Sequence, residues 1–529
     1  MWLVRGEIMK KILIFFIILG IVIGLLSGMN NQTTNPKEDV DNSNYENTVT
    51  ENSELTLAIS DIDTLNPLRT KRLHLSNVLK LIYEPLFSYD EQNQVVPILV
   101  EQWMKRDELT WIVRLRNDVT WHNGEKFTAN DVKYTIDILI NDVIDSIYKS
   151  NVLNISSVDV MDDKTLAITL KEADPYLLSK LTFPIISKNY FAGEEINNEI
   201  KSNILMGTGA YKYISENDYL ITLSYNNEWW KKENHKLKTI NLRKYFSYSE
   251  AIKGFKSSEV DMIITNMYDW KENFGFIGIN SYQYENTEYE LLIPNAENKI
   301  FSDNSVRKAL LYGINRANII STIYDNNAVM ADIPIMSNSK YAESSVEYDP
   351  EIAKQILING GWNQENNTWK KDNTTLKFTL LVCDEEFEKN AVAEKIKTNL
   401  SEIGIQVTIK SLKWDELKKA LENNKFELIL MSIDIKNEYQ IQNMVQIGNE
   451  YNYANFINIE MDEIIEELKN SEGEIFEEKM DEFKKKYINE LPYIGLYFKT
   501  DTILTNKSVK GEYKSTVYEP YKNIVNFYK

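Results

Sequence analysis

Cysteine is almost absent from this chain of 529 residues: Cys383 stands alone. No intrachain disulfide framework can form, and stability must come from packing. Cys383 closes an apolar run that starts at Leu380, where a thiol is expected to sit buried as a small hydrophobe without chemistry of its own. Histidine is nearly as scarce. His74, His122 and His235 are the only three, and none stands four residues from another or beside the cysteine, so the usual zinc-ligand spacings are missing. No serine lies in a G-x-S-x-G elbow, so nucleophilic hydrolysis finds no support; no enzyme, no metal and no cofactor are expected. Positive charge is also short, with 59 Lys and Arg against 79 Asp and Glu, a formal net charge of -20. Nucleic-acid binding draws most of its affinity from Lys and Arg on phosphates, so no nucleic-acid partner is expected.

What is present is a globular composition, with 43% hydrophobic, 11% aromatic and 26% charged residues. The length exceeds the size at which one core stops growing, so two or more lobes are expected. Arg5, Lys10 and Lys11 precede an apolar run from Ile12 to Leu26, the charge pattern of an export signal that leaves the rest of the chain outside the membrane. Leu25-Leu26-Ser27-Gly28 resembles the end of a bacterial lipoprotein signal, but the next residue is Met29, which cannot carry the lipid that such a signal places on cysteine. An uncleaved anchor at the outer face of the cytoplasmic membrane is the preferred reading, cleavage and release the second. Residues 30–53 hold almost no large apolar side chains and read as a flexible tether.

Beyond the tether, Leu55, Leu57 and Ile59 alternate with polar residues as in a half-buried strand. Further short strands are expected at 221–225, 240–242, 262–264, 378–382, 405–409 and 426–431, with helical stretches between many of them. That alternation predicts an α/β architecture. Thr128 with Asp131 forms a capping box ahead of one helix, and Asp303 or Asn304 starts another. Asp349-Pro350 opens a third, which Gly360-Gly361 ends. The segment 389–431 reads as helix, strand, helix, strand with a crossover between parallel strands, and 461–491 as solvated amphipathic helices. Gly207-Thr208-Gly209 lacks the lysine of a P-loop and the third glycine of a dinucleotide fingerprint. The acid pairs Asp61/Asp63 and Asp162/Asp163 read as turn residues.

Several segments, in order, carry a resemblance. They are Tyr83 to Phe87 with Val96 to Trp103, Trp111 to Arg116 with Trp121 to Val132, and Gly207 to Tyr211 with Asn226 to Trp230. They continue with Val306 to Leu310 and Ile314-Asn315-Arg316, then Asp349-Pro350 with Ala353-Lys354 and Gly360-Gly361-Trp362, and Pro492 to Tyr497, where Gly495 replaces a proline. Collinear from about residue 55 onward, they resemble family 5 of the bacterial extracellular solute-binding proteins, the oligopeptide- and dipeptide-binding proteins of ABC transporters. The resemblance implies a periplasmic-binding-protein-like fold: two lobes around a ligand cleft, with a small domain inserted in the first. Mapped onto this chain, 1–29 is the export signal or anchor, 30–53 the tether, 54–85 and 206–300 parts of lobe 1, 86–205 the inserted domain, 301–495 lobe 2, and 496–529 the return to lobe 1.

The resemblance also implies a peptide ligand, permease subunits of an ABC transporter as membrane partners, and a monomer. Asp434, following the run Phe426 to Leu430, is its nearest match to an aspartate that meets the peptide α-amine, although the usual G-W-x-x-D-Y is absent. By similar position Tyr148 is a cleft-wall tyrosine, Asn452 an amide facing the ligand backbone, and Tyr497 a hydroxyl near the hinge. Trp414 reads as a packing residue. The same fold also serves receptors for metal chelates, oligosaccharides or haem, and an anchored ligand sensor is a further reading; fold alone does not separate these.

Overall fold

The computed structural model describes residues 53–529 except 142–143, 192–204, 233–234, 276, 438 and 472. The expected export signal, Met29 and nearly all of the tether lie outside the described residues. No helix among the described residues is long and apolar enough to cross a membrane.

The alternation at Leu55, Leu57 and Ile59 produces the strand Glu54–Ser60, with all three side chains buried. It pairs in parallel with Thr239–Tyr245 and with Met262–Thr265. The sheet continues antiparallel through Leu220–Tyr225 to Tyr211–Glu216. This is the sheet of lobe 1. In lobe 2, Lys377–Cys383 pairs in parallel with Gln406–Leu412 on one side and Leu428–Asp434 on the other. The helices Phe387–Glu402 and Trp414–Glu422 connect these strands, so the helix and strand pattern expected for 389–431 is present. The capping box at Thr128 and Asp131 and the Asp349 cap ahead of Pro350 are formed, and Asp303 rather than Asn304 caps its helix. Met461, Ile464, Ile465 and Leu468 form the buried stripe of the helix Ile459–Lys469.

Two long antiparallel strands, Ile279–Pro294 and Ile494–Asn506, join the two half-sheets into one. Their first pairing, Ile279↔Asn506 to Glu285↔Thr500, lies in lobe 1. The second, Tyr289↔Phe498 to Leu292↔Ile494, packs in the lobe 2 cores, so the chain passes into lobe 2 before the expected boundary at 300/301 and leaves it after the one expected at 495/496. Between them Asn286, Thr287 and Glu288 stand against Lys499 alone, a bulge that breaks the ladder and lets the strands bend. This is the hinge. The inserted domain is a four-stranded antiparallel sheet, in the order Val100–Asp107, Thr110–Leu115, Thr165–Leu170 and Ile155–Val160, with the helix Ala129–Ile140. Its buried side chains merge with those of lobe 1 in one core, whereas lobe 2 has a core on each face of its sheet. Cys383 is buried in one of these, as its apolar run implies.

Candidate functional site: the gap between the lobes

The parallel strands of both half-sheets run toward the hinge. Met262–Thr265 reaches it with Thr265 opposite Thr502, and Leu428–Asp434 ends there with Asp434 opposite Glu288. Open α/β sheets place ligand crevices beyond the carboxyl ends of their strands, and here two sets of such ends converge.

Between the lobes lies a gap with two adjoining parts, both lined by Asn93 and Met336. The smaller part, about 20 Å³, is faced by Tyr89 and Tyr518 from the lobe 1 side and by Pro334, Ile435, Asn437 and Tyr439 from lobe 2. The larger part, about 380 Å³, reaches the strand crossing at Glu285 and Thr500. Side chains clasp the rim. Tyr176 of the inserted domain stacks on Tyr439 at 3.5 Å between centroids, and its hydroxyl accepts from Gln442 Nε2 at 2.6 Å. Asn93 donates to Asn338 Oδ1 at 2.8 Å, Asn338 donates to the Glu91 carbonyl at 2.9 Å, and the Tyr518 hydroxyl donates to the Lys436 carbonyl at 2.8 Å. Behind Tyr518, and not among the lining residues, the Lys80 ammonium donates to the Tyr518 carbonyl, and Ser88 donates to the Glu519 carboxylate. Burial lowers the Lys80 pKa, and Glu519 opposes that shift.

The four residues expected from the resemblance fall in different settings. Asp434 ends its strand beside Ile435 and Asn437 of the gap; its side chain is 56% exposed, with Lys436 Nζ at 3.9 Å. That leaves a carboxylate able to accept a ligand cation. Tyr148 shares a 2.9 Å hydrogen bond with Ser76, on the helix Leu73–Leu79 that leads into Lys80. Burial raises the Tyr148 phenol, so it stays a neutral donor. Asn452 spends its amide on its own loop, donating to the carbonyls of Gln446 and Phe456 and accepting from the Phe456 N–H at 3.0 Å. Tyr497 is in the hinge strand opposite Glu290 and fully buried, its hydroxyl donating to Tyr324 Oη at 3.2 Å. None of the four, Asp434, Tyr148, Asn452 and Tyr497, is among the residues lining the gap; Asp434 is the one whose chain neighbour, Ile435, lines it. Trp414 is 44% exposed at the start of its helix.

The histidines have structural partners. His74 Nε2 lies 2.6 Å from the Ser60 carbonyl, and His235 stacks on Tyr225 at 3.4 Å. His122 donates from Nε2 to the Gly209 carbonyl at 3.0 Å and accepts the Gly207 N–H on Nδ1 at 3.3 Å, which fixes the neutral ring. Burial lowers its pKa to about 4. A proton on Nδ1 would evict the Gly207 N–H. The unfolded chain, titrating near 6.5, takes that proton first, so this contribution is complete above about pH 6.5 and is lost as pH falls toward 4. We expect the wild type to lose about 2 kcal/mol across that window that a His122→Gln variant does not, read from urea midpoints at each pH. The same two glycines serve packing: a Cβ on Gly207 would lie 1.8 Å from the Ile82 carbonyl, and one on Gly209 2.7 Å from that of Leu81. Among the described residues no group of three or more His, Cys, Asp or Glu side chains is placed to hold a metal ion.

Sequence reasoning missed Tyr176, Tyr439 and Gln442, whose contacts join segments more than 260 residues apart in the chain. It also passed over Lys80, Tyr518 and Glu519. Lys80 alone left a signal, a charge inside the apolar run Val78 to Ile82.

The fold and gap define a two-lobed α/β binding protein whose lobes meet across a strand hinge. The sequence profile described as "Bacterial extracellular solute-binding proteins, family 5 Middle" matches residues 94–452, and the chain belongs to that family. The oligopeptide-binding protein AppA of Bacillus subtilis (strain 168) is 22% identical over 475 residues, 86% of this chain and 87% of that protein. The nickel-binding periplasmic protein of Escherichia coli (strain K12) is 24% identical over 351 residues, 62% of this chain and 65% of that protein. The crystal structure of a nickel ABC transporter from Bacillus halodurans superposes with a TM-score of 0.77 at 22% identity, covering 90% of this chain and 100% of that one, and supports the fold.

Proposed function

We propose that this protein captures peptides in the interlobe gap and hands them to the permease of an ABC transporter, at the outer face of the cytoplasmic membrane. The observation that carries the reading is Asp434, an accessible carboxylate at the end of a hinge-directed strand beside the gap. A peptide brings an α-amine that such a carboxylate meets, and backbone groups that the Asn93, Asn437 and Asn338 amides pair once water is expelled. Closure by bending at the hinge bulge buries the ligand, and the Tyr176–Tyr439 clasp adds rim contacts to the closed state. The relative named as an oligopeptide-binding protein supports this choice. Relatives named for nickel support a second reading, a metal chelate.

The test is native mass spectrometry and calorimetry on the full chain in mild detergent, against a mixed peptide library and against nickel with free histidine. Short peptides are expected to bind. Asp434→Ala is expected to weaken peptides with a free N-terminus by about 10- to 100-fold, and N-acetylated ones hardly at all. A protein that ignores every peptide but binds the nickel chelate overturns the peptide reading. Anchoring through residues 12–28 predicts that the chain stays with membranes after an alkaline carbonate wash; its release into the wash would favour cleavage instead.

A further inference from the structure

Asn327 of lobe 2 is 3% exposed and spends its amide across the lobe boundary. Its Oδ1 accepts from the Trp270 indole N–H at 3.1 Å and from the Gln283 amide, both of lobe 1. Its Nδ2 donates to the Tyr268 carbonyl of lobe 1 at 2.7 Å and to the Tyr324 carbonyl of its own loop at 2.8 Å. Around this amide the Tyr268 ring meets Tyr324 edge-on at 5.7 Å and packs against a lobe 2 core, and Lys271 Nζ lies 2.7 Å from Asp325 Oδ2. The joint adjoins the hinge: the next residue, Ala328, pairs with Lys499, which alone faces the bulge. Gln283 and Asn326 also line the larger part of the gap, so the joint walls one end of it. The Tyr176–Tyr439 clasp stands at the other end, beyond the smaller part, which Tyr439 lines.

Parting the lobes has a different cost at each end. At the joint it strips a buried amide and a buried indole N–H of their partners and lifts Tyr268 off a core. At the clasp end the bonds from Asn93 to Asn338 and from Tyr518 to the Lys436 carbonyl are exposed, and water replaces them at little cost. We infer that Asn327 is a positioning residue for ligand capture: it pins the lobes beside the hinge, so that they part by a swing that opens the Tyr176–Tyr439 end. The wall made by Gln283 and Asn326 then keeps one shape in the open and closed states, and the ligand enters past the clasp. This pivot does not depend on which solute is bound.

The test is pulsed electron spin resonance on the full chain in mild detergent, in a Cys383→Ala background so that only introduced cysteines carry labels. One label pair, Glu272→Cys with Ser321→Cys, spans the joint, and a second, Ala173→Cys with Ile447→Cys, spans the clasp; all four positions are exposed. Adding Tyr176→Ala weakens the clasp without any ligand. The clasp distance is expected to lengthen by more than about 2 Å in that variant, and to shorten again with the peptide library or with nickel and free histidine, while the joint distance stays within about 1 Å throughout. Asn327→Ala is expected to broaden the joint distances and to weaken solute binding about tenfold, because fewer molecules hold the competent geometry. A joint distance that changes as much as the clasp distance overturns the inference, and so does a clasp distance that Tyr176→Ala leaves unchanged. Neither comparison uses an Asn327 variant, so one that fails to fold does not weaken the test. If the nickel chelate shortens the clasp distance and no peptide does, the pivot stands and the peptide reading falls.

Discussion

Replacing Arg316 by methionine is expected to destabilise lobe 2 by about 3–5 kcal/mol, the usual loss when one member of a buried ion pair is removed. The Arg316 side chain is 1% exposed and that of its partner Asp332 is 8% exposed. Its guanidinium spans three segments: Nη1 meets Asp332 Oδ1 and, at 3.2 Å, the Gly495 carbonyl, while Nη2 donates to the Val346 carbonyl at 2.6 Å. The other oxygen of Asp332 accepts the Val346 N–H at 2.9 Å. Methionine fills much of the volume but leaves the carboxylate buried without a cation and two carbonyls without a donor. Urea unfolding should therefore show a lowered midpoint at unchanged slope. Adding Asp332→Asn should recover part of the loss, because it removes the unpaired charge. A single Arg316→Met variant within 1 kcal/mol of wild type would mean that the pair is compensated elsewhere.

Gly495→Ala should cost about 3 kcal/mol or more, beyond the usual range for overpacking, because the obstacles include backbone. An added Cβ would lie 1.9 Å from the Tyr289 hydroxyl, 2.4 Å from the Asp332 carbonyl and 2.5 Å from that of Ala331. Gly495 pairs with Leu291 beside the second register shift of the hinge strands, so the damage falls where lobe 2 begins. Tyr289→Phe removes the closest obstacle and should restore part of the melting temperature of the alanine variant. It leaves the two carbonyls in place, so full restoration is not expected. Where the resemblance has a proline at this position, this chain places the Tyr289 hydroxyl, which donates to the Ala331 carbonyl at 3.1 Å.

Much of the secondary structure was legible. Strand alternation at Leu55, Leu57 and Ile59, and the caps at Thr128 and Asp349, depend on neighbours a few residues away, and local sequence encodes such features fully. The site was less so. Asp434 was named from the resemblance, and the strand end at which it was expected is formed. Asn452 and Tyr497 were picked by position along the chain, which says nothing about where an amide or hydroxyl is spent. Their hydrogen bonds go to Gln446, Phe456 and Tyr324.

By itself, the sequence determined the absence of a disulfide framework, the acidic surface charge, the alternation of strands and helices, and the collinear segments that place the chain in its family. These follow from composition and from periodicities read within one or two turns. Tertiary structure alone decided that Asn286 to Glu288 bulge against Lys499 to make the hinge, and that Tyr176 closes on Tyr439. It also decided that Arg316 neutralises Asp332, and that Glu285 accepts from Ser337 across the strand crossing. Each is a contact between segments far apart in the chain, fixed by the joint packing of two half-sheets on a shared pair of strands, and no local pattern carries that information.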